Sequence, residues 1–110
     1  MSQATHDVIQ QQIGDNKVMI YMKGTPEFPQ CGFSAATIQV FQRMGYPYKT
    51  VNVLDDSDIR QGIKSFSNWP TIPQVYVDGE FIGGCDITLE MYQRGELEPL
   101  VKAAVEGATA

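Results

Sequence analysis

The 110-residue chain has little cysteine, with only Cys31 and Cys85. Two cysteines are too few to crosslink a small secreted scaffold, and a reducing compartment keeps such residues as free thiols. Any chemistry at these two positions is therefore predicted to be thiol or metal chemistry. The sequence does not indicate a disulfide-stabilised extracellular domain.

Basic residues are also scarce, because eight Lys and Arg stand against 13 Asp and Glu and give a net charge of −5. The eight are scattered and form no stripe that would neutralise phosphates, so we expect no nucleic-acid partner. The longest apolar run covers only 18–22, far below the roughly 18 residues needed to cross a bilayer. The first seven residues lack the features of a secretory signal, so we expect a cytoplasmic protein without membrane partners.

Length and composition predict one globular domain over 1–110. The chain is 43% hydrophobic and 19% charged, which is typical of soluble globular proteins and not of disordered ones. A chain of this size can bury one core but not two independent ones. We expect the core to cover about 5–105 and the tail at 106–110 to be disordered.

Apolar periodicity and turn signals predict helices over 5–13, 33–44, 59–66, 87–92 and 97–104, and strands over 17–22, 48–54, 74–77 and 80–82. Asp86 is predicted as the N-cap of the fourth helix. A strand–helix–strand start requires a right-handed parallel crossover, whereas Asp78-Gly79 predicts an antiparallel hairpin. We therefore expect an α/β, thioredoxin-like fold in which helices cover both faces of a four-stranded mixed sheet.

Cys31 is placed where a loop becomes the second predicted helix. Unshared backbone N–H groups and the positive end of the helix dipole favour a thiolate there. The pKa of such a cysteine falls from about 8.5 to between roughly 3.5 and 7.5, and the thiolate is both a nucleophile and a metal ligand. A small buried apolar residue that happens to precede a helix is the alternative.

Ser34 stands three residues after Cys31, where a dithiol oxidoreductase has its resolving cysteine. Serine has no thiol to attack a mixed disulfide, so release of a product from Cys31 needs an outside thiol or the distant Cys85. This substitution favours a function other than ordinary disulfide catalysis.

Several further groups are ordinary when each is taken alone, but together they predict a ligand site. Lys23 and Arg60 are ordinary solvated cations when taken singly, and the Gly83–Asp86 turn is an ordinary helix start. All of them, with the Ile72 backbone before Pro73, are predicted at strand ends or helix starts, the edge where ligands collect in α/β sheets. Two cations, an edge backbone and an anion-binding turn suit glutathione, a short peptide with two carboxylates and an amine.

In four segments the sequence resembles the monothiol glutaredoxins of the Cys-Gly-Phe-Ser type, particularly their short single-domain bacterial members. The segments are Lys23-Gly24-Thr25-Pro26, Pro29-Gln30-Cys31-Gly32-Phe33-Ser34, Trp69-Pro70-Thr71-Ile72-Pro73-Gln74 and Gly83-Gly84-Cys85-Asp86. They occur in the family's order, and the resemblance covers nearly the whole chain.

The resemblance implies a glutathione site. Lys23 and Arg60 would hold the glycyl carboxylate, and Ile72 would pair with the peptide backbone before a cis-Pro73. Cys85 and Asp86 would hold the γ-glutamyl end. Thr71, Pro73 and Gly84 would shape the site.

The resemblance also implies that Cys31 is an iron ligand in a 2Fe-2S cluster bridged by a homodimer. Two Cys31 thiolates and two glutathione thiolates supply the four ligands that such a cluster takes. The expected function is cluster binding and transfer to apo iron–sulfur proteins. An iron-status adaptor that shares the cluster with a BolA-like protein is a compatible alternative. A glutathione-dependent oxidoreductase acting through Cys31 is the competing alternative.

Overall fold

The computed structural model describes residues 1–107, and the elements follow the predicted order. In this range it has the helices α1 (Gln3–Asp15), α2 (Gly32–Met44), α3 (Ser57–Ser67), α4 (Cys85–Gln93) and α5 (Leu97–Val105), and the strands β1 (Val18–Met22), β2 (Lys49–Asn52), β3 (Gln74–Val77) and β4 (Glu80–Gly83). Positions 108–110 of the predicted tail lie outside the described residues. None of the helices described is both long enough and apolar enough to span a bilayer.

The four strands form one mixed sheet in the order β2-β1-β3-β4. Strand β1 pairs in parallel with β2 and antiparallel with β3, which in turn pairs antiparallel with β4. The β3–β4 turn has positive φ at both central residues, 52° at Asp78 and 83° at Gly79, as the favoured two-residue hairpin requires. The predicted four-stranded mixed sheet is confirmed.

Side chains of the central strands alternate between two cores, one on each face of the sheet. Because successive strand residues point to opposite faces, Ile20 packs with α2 and α5, whereas Tyr21 packs with α1 and α3. All five residues of β1 are buried, as expected for a strand covered by helices on both faces. The sheet is therefore a rigid support for the loops at its ends.

Several element boundaries differ from the prediction by one or two residues, and two of these differences have clear local causes. Helix α1 begins at Gln3, because the Ser2 hydroxyl accepts a hydrogen bond from the Thr5 N–H at 3.1 Å and caps the helix earlier. Strand β2 ends at Asn52, whose Oδ1 accepts from the Leu54 N–H at 3.0 Å and turns the chain away from the sheet.

The prediction of Asp86 as the N-cap of α4 is wrong. The helix begins at Cys85, with Gly84 in the N-cap position, and Asp86 lies in the first turn. The Gly84 carbonyl accepts the first helical hydrogen bond from the Thr88 N–H at 3.0 Å. In the first turn the Asp86 carboxylate still interacts favourably with the helix dipole.

Helices α1 and α3 approach each other closely at Gly62. A Cβ added there would lie 2.7 Å from Thr5 Cγ2 and 3.2 Å from Ile9 Cδ1. The glycine therefore permits the close packing of α3 against α1.

We expect Gly62→Ala to destabilise the fold by about 1–3 kcal/mol, because the gain in helix propensity is smaller than the cost of overpacking. Gly14→Ala is the matched control, since Gly14 is also helical but has no atom within 4 Å of an added Cβ. It should stabilise the protein by about 0.5–1 kcal/mol. Urea unfolding measures both changes, and a Gly62→Ala protein as stable as the wild type would show that the contact is not restrictive.

Candidate functional site

Cys31 is the N-cap residue of α2, as predicted, with an extended backbone (φ −154°, ψ 134°). Its side chain is partly exposed and makes no capping hydrogen bond. The N–H groups of the first helical turn are therefore free to stabilise a deprotonated sulfur.

The pKa of the Cys31 thiol lies below its ordinary value. The main cause is the backbone N–H of Ser34, which favours the thiolate, while burial opposes the shift. The Phe33 N–H, the charge of Lys23 and the Ser34 hydroxyl lower the pKa further. The direction of this shift is the one that the helix-start position predicts.

Ser34 has a structural role in place of a resolving thiol. It is fully buried, and its hydroxyl accepts a hydrogen bond from the Lys23 N–H at 3.1 Å. This bond joins the end of β1 to the first turn of α2. It therefore fixes Lys23 and Cys31 on the same side of the molecule.

The loop between β1 and Cys31 is closely packed around Gly24. The Gln30 N–H donates to the Lys23 carbonyl at 2.9 Å, and the Gly24 N–H donates to Asn52 Oδ1 at 2.9 Å. Gly24 has φ of 90°, and an added Cβ would lie 2.5 Å from the Phe28 carbonyl oxygen, so no other residue fits without distortion. The chain thus reaches Cys31 along a fixed path.

A second wall of the site is the loop that leads into β3. The Ile72–Pro73 peptide bond is cis, as the family resemblance implies. In the part of the chain that the structure describes, the Ile72 N–H and C=O have no hydrogen-bond partner in the protein. They are available to an extended peptide.

The third wall is the turn at Gly84, which begins α4. A Cβ at Gly84 would lie 3.1 Å from the Pro73 carbonyl oxygen and 3.5 Å from Trp69 Nε1, so the glycine lets this turn contact the cis-proline loop closely. Gly84 has no side chain to cap α4, and the first N–H groups of the helix remain available to a carboxylate.

The start of α2 at Cys31, the cis-proline loop and the Gly84 turn form three walls of one open cavity of about 480 Å³, called the Cys31 cavity below. Its volume lies within the range of small-molecule sites, about 300–1,000 Å³. Eight of the nine predicted site residues line it: Lys23, Cys31, Thr71, Ile72, Pro73, Gly84, Cys85 and Asp86. Five lining residues were not among the predicted ones: Phe33, Lys64, Trp69, Pro70 and Ile87.

Arg60 is the predicted site residue that does not line the Cys31 cavity; Lys64, four residues later in α3, does. Residues four apart share a helix face, so helical periodicity places Lys64 beside Arg60 but does not indicate which of the two reaches the cavity. The structure therefore supplies two cations to the cavity wall, Lys23 and Lys64.

The donor set limits what metal chemistry one chain can support. Within residues 1–107 no group of three or more His, Cys, Asp or Glu side chains is arranged to hold a metal ion. Cys31 is the partly exposed thiol, whereas Cys85 is buried in the cavity wall. Any metal centre at Cys31 therefore needs ligands from outside this chain.

The architecture defines a thioredoxin-like protein with a peptide-sized cavity beside a helix-capping thiol, and solved structures share that fold. A buckwheat glutaredoxin solved as a glutathione complex is 26% identical, with a TM-score of 0.83, over 98% of this chain and 94% of that one.

The glutaredoxin family model matches residues 18–82. The chain belongs to the glutaredoxin family, and within it resembles the monothiol members most. A Synechocystis protein described as an uncharacterized monothiol glutaredoxin ycf64-like is 53% identical over 96% of this chain and 98% of its own length. Glutaredoxin 4 of Escherichia coli K12 is 50% identical over 89% of this chain and 85% of its own.

We expect iodoacetamide to alkylate Cys31 with a pH midpoint below the value of about 8.5 for a free cysteine. Lys23→Met should raise this midpoint, because it removes a positive charge that lowers the pKa. The rate is measured by mass spectrometry of the Cys31 peptide.

Lys17→Met is the matched control for this measurement, since Lys17 precedes the opposite end of β1 and pairs with Asp78 at 3.3 Å. It should leave the midpoint unchanged. Equal shifts in both variants would mean that Lys23 acts only through the overall charge of the protein.

Proposed function

We propose that this protein binds glutathione in the Cys31 cavity and, together with it, carries and transfers a 2Fe-2S cluster. The observation that carries the proposal is the convergence of a thiolate-favouring Cys31 with an unpaired Ile72 backbone in one cavity. The first group suits a sulfur ligand to iron, and the second suits a peptide backbone.

Glutathione matches the chemistry of each wall. Its backbone would pair with the free N–H and C=O of Ile72, and one carboxylate would meet Lys23 and Lys64. The other carboxylate would meet the uncapped start of α4 at Cys85 and Asp86. The structural likeness to a glutaredoxin solved with glutathione supports this ligand.

The number of thiolates on one chain supports a cluster that is shared between two chains. One accessible thiolate is one quarter of the four thiolates that a 2Fe-2S cluster takes. Two chains and two glutathione molecules complete the set, so the proposal includes a homodimer. Because half of the ligands are held reversibly, the cluster should leave for an apo-protein more readily than from a site of four protein cysteines.

The same proposal includes apo iron–sulfur proteins as recipients and a BolA-like protein as an alternative partner for the cluster. It also places the protein in a reducing compartment such as the cytoplasm, where both cysteines remain thiols. These parts rest on the family resemblance and on the chemistry of Cys31.

A second candidate function is removal of glutathione from mixed disulfides, which the lowered pKa of Cys31 favours. The Cys31 thiolate would attack the glutathione sulfur and release the protein as a thiolate. A second glutathione thiolate would then attack that sulfur, yield oxidised glutathione and restore Cys31. Ser34 does not prevent this route, since the resolving thiol comes from solution.

Anaerobic reconstitution with iron, sulfide and glutathione tests the main proposal. We expect the wild type to gain visible absorption and the mass of a dimer, and to need glutathione for both. Cys31→Ser should remain colourless and monomeric because a hydroxyl is a poor ligand to iron in this setting.

Two outcomes would contradict this proposal. A colourless, monomeric wild type that reduced glutathione mixed disulfides rapidly would favour the oxidoreductase function. Cluster assembly by Cys31→Ser would show that the ligand assignment is wrong and would make Cys85 the next candidate.

A pair of substitutions on α3 tests which cation meets the glutathione carboxylate. We expect Lys64→Met to weaken glutathione binding by about five-fold, as for a pair worth about 1 kcal/mol. Arg60→Met should weaken it less, because Arg60 does not line the cavity. Isothermal titration calorimetry measures both, and the reverse order would restore the role predicted for Arg60.

A further inference from the structure

Gln74 supports the cis-proline loop from beneath and is not itself a cavity residue. It is the first residue of β3, and its side chain is fully buried. Its Nε2 donates to the Trp69 carbonyl at 3.0 Å and to the Thr71 carbonyl at 3.3 Å. One buried amide thus uses its two donors on the segment that leads to Ile72.

Tyr76 fixes which end of this amide faces the loop. The Tyr76 hydroxyl donates to Gln74 Oε1 at 3.1 Å, so Nε2 is the end directed at the two carbonyls. An amide turned the other way would set Oε1 against two carbonyl oxygens, and buried polar groups rarely remain unpaired in that manner.

The Tyr76 ring is itself held in place. It lies in the core between α3 and the sheet, with ring-centre distances of 5.3 Å to Phe81, 5.8 Å to Tyr21 and 6.2 Å to Phe66. Burial raises the pKa of Tyr76 to about 12, so its hydroxyl stays protonated and remains a donor. The packed core therefore holds Tyr76 in place, Tyr76 orients the Gln74 amide, and Gln74 in turn holds the loop.

We propose that Gln74 is a positioning residue, which turns the Trp69 and Thr71 carbonyls inward so that the Ile72 backbone is left to pair with glutathione. This inference rests on the proposed function, because it names how the peptide-binding edge of that site is held. Without Gln74, the Trp69 and Thr71 carbonyls would lose the donor that ties them to the buried start of β3, and the loop would reorganise.

The chain supplies a matched control on the other side of the same core. The Tyr21 hydroxyl donates to Gln12 Oε1 at 2.7 Å, so a second buried tyrosine is paired with a glutamine amide. Gln12 is in α1 and does not line the Cys31 cavity. Gln12→Leu therefore removes the same kind of hydrogen bond without touching the loop.

The experiment compares Gln74→Leu, Tyr76→Phe and Gln12→Leu in the full chain with three measurements. Nitrogen-15 relaxation gives the order parameters of the Thr71 and Ile72 amides, calorimetry gives the glutathione dissociation constant, and iodoacetamide gives the alkylation rate of Cys31. The first and third do not require glutathione to bind.

For Gln74→Leu we expect the loop order parameters to fall from about 0.85 to below about 0.6 and the dissociation constant to rise about tenfold. The alkylation rate of Cys31 should not change, because its thiolate is stabilised by α2 and Lys23. Tyr76→Phe should show a smaller loss of the same kind, about three-fold in affinity. Gln12→Leu should lower the urea midpoint but leave loop order and affinity as in the wild type.

Unchanged loop order and affinity in Gln74→Leu would overturn the inference, as would equal losses in Gln74→Leu and Gln12→Leu, which would indicate general destabilisation. If Gln74→Leu does not fold, unchanged order and affinity in Tyr76→Phe would overturn it instead. A wild type that binds no glutathione would overturn the proposed function and the ligand named here, while the relaxation data would still decide whether Gln74 orders the loop.

Discussion

Strand β1 is hydrogen-bonded to a neighbour along each edge and is buried on each face, and the place where it ends determines where the site forms. Lys23 follows it directly and is bonded to Ser34, which sets the start of α2 and so the position of Cys31. Across the antiparallel ladder Tyr21 is opposite Gln74, so the loop that precedes β3 arrives at the same edge. Three segments distant in sequence meet there because one strand aligns them.

The helix starts around the cavity differ from those elsewhere in a way that suits binding. In α1 and α3 a side chain, Ser2 or Asp56, accepts hydrogen bonds from the first turn. Helices α2 and α4 have Cys31 and Gly84 in the N-cap position without such a bond, and both N-cap residues line the cavity. Helix α5 also lacks a side-chain cap, so the missing cap becomes informative only in combination with the cavity. A side-chain cap at the start of α2 or α4 would stabilise the helix. Without it, the N–H groups and the positive end of the helix dipole are available to an anion.

Local patterns predicted the elements and the hairpin because periodicity and turn chemistry are properties of neighbouring residues. The β1 side chains and Asp78-Gly79 carried that signal directly. Contacts between distant segments were not predictable in this way. The start of α4 depends on Gly84 packing against Pro73, and the choice of Lys64 depends on how α3 is rotated toward the cavity. The strand pattern around Gln74 did not predict that its side-chain amide would donate hydrogen bonds to the loop before β3.

The burial of Ser34 has a consequence for how monothiol and dithiol members of a thioredoxin-like fold can be interconverted. A cysteine at this position would bring a second thiol near Cys31, but sulfur is a weak acceptor and would hold the Lys23 N–H less well than the hydroxyl does at 3.1 Å. The exchange of one atom would thus alter redox chemistry and the placement of a cavity cation together. A change from one chemistry to the other would require a compensating anchor for the end of β1, so monothiol character here is tied to the architecture as well as to the absence of a sulfur atom.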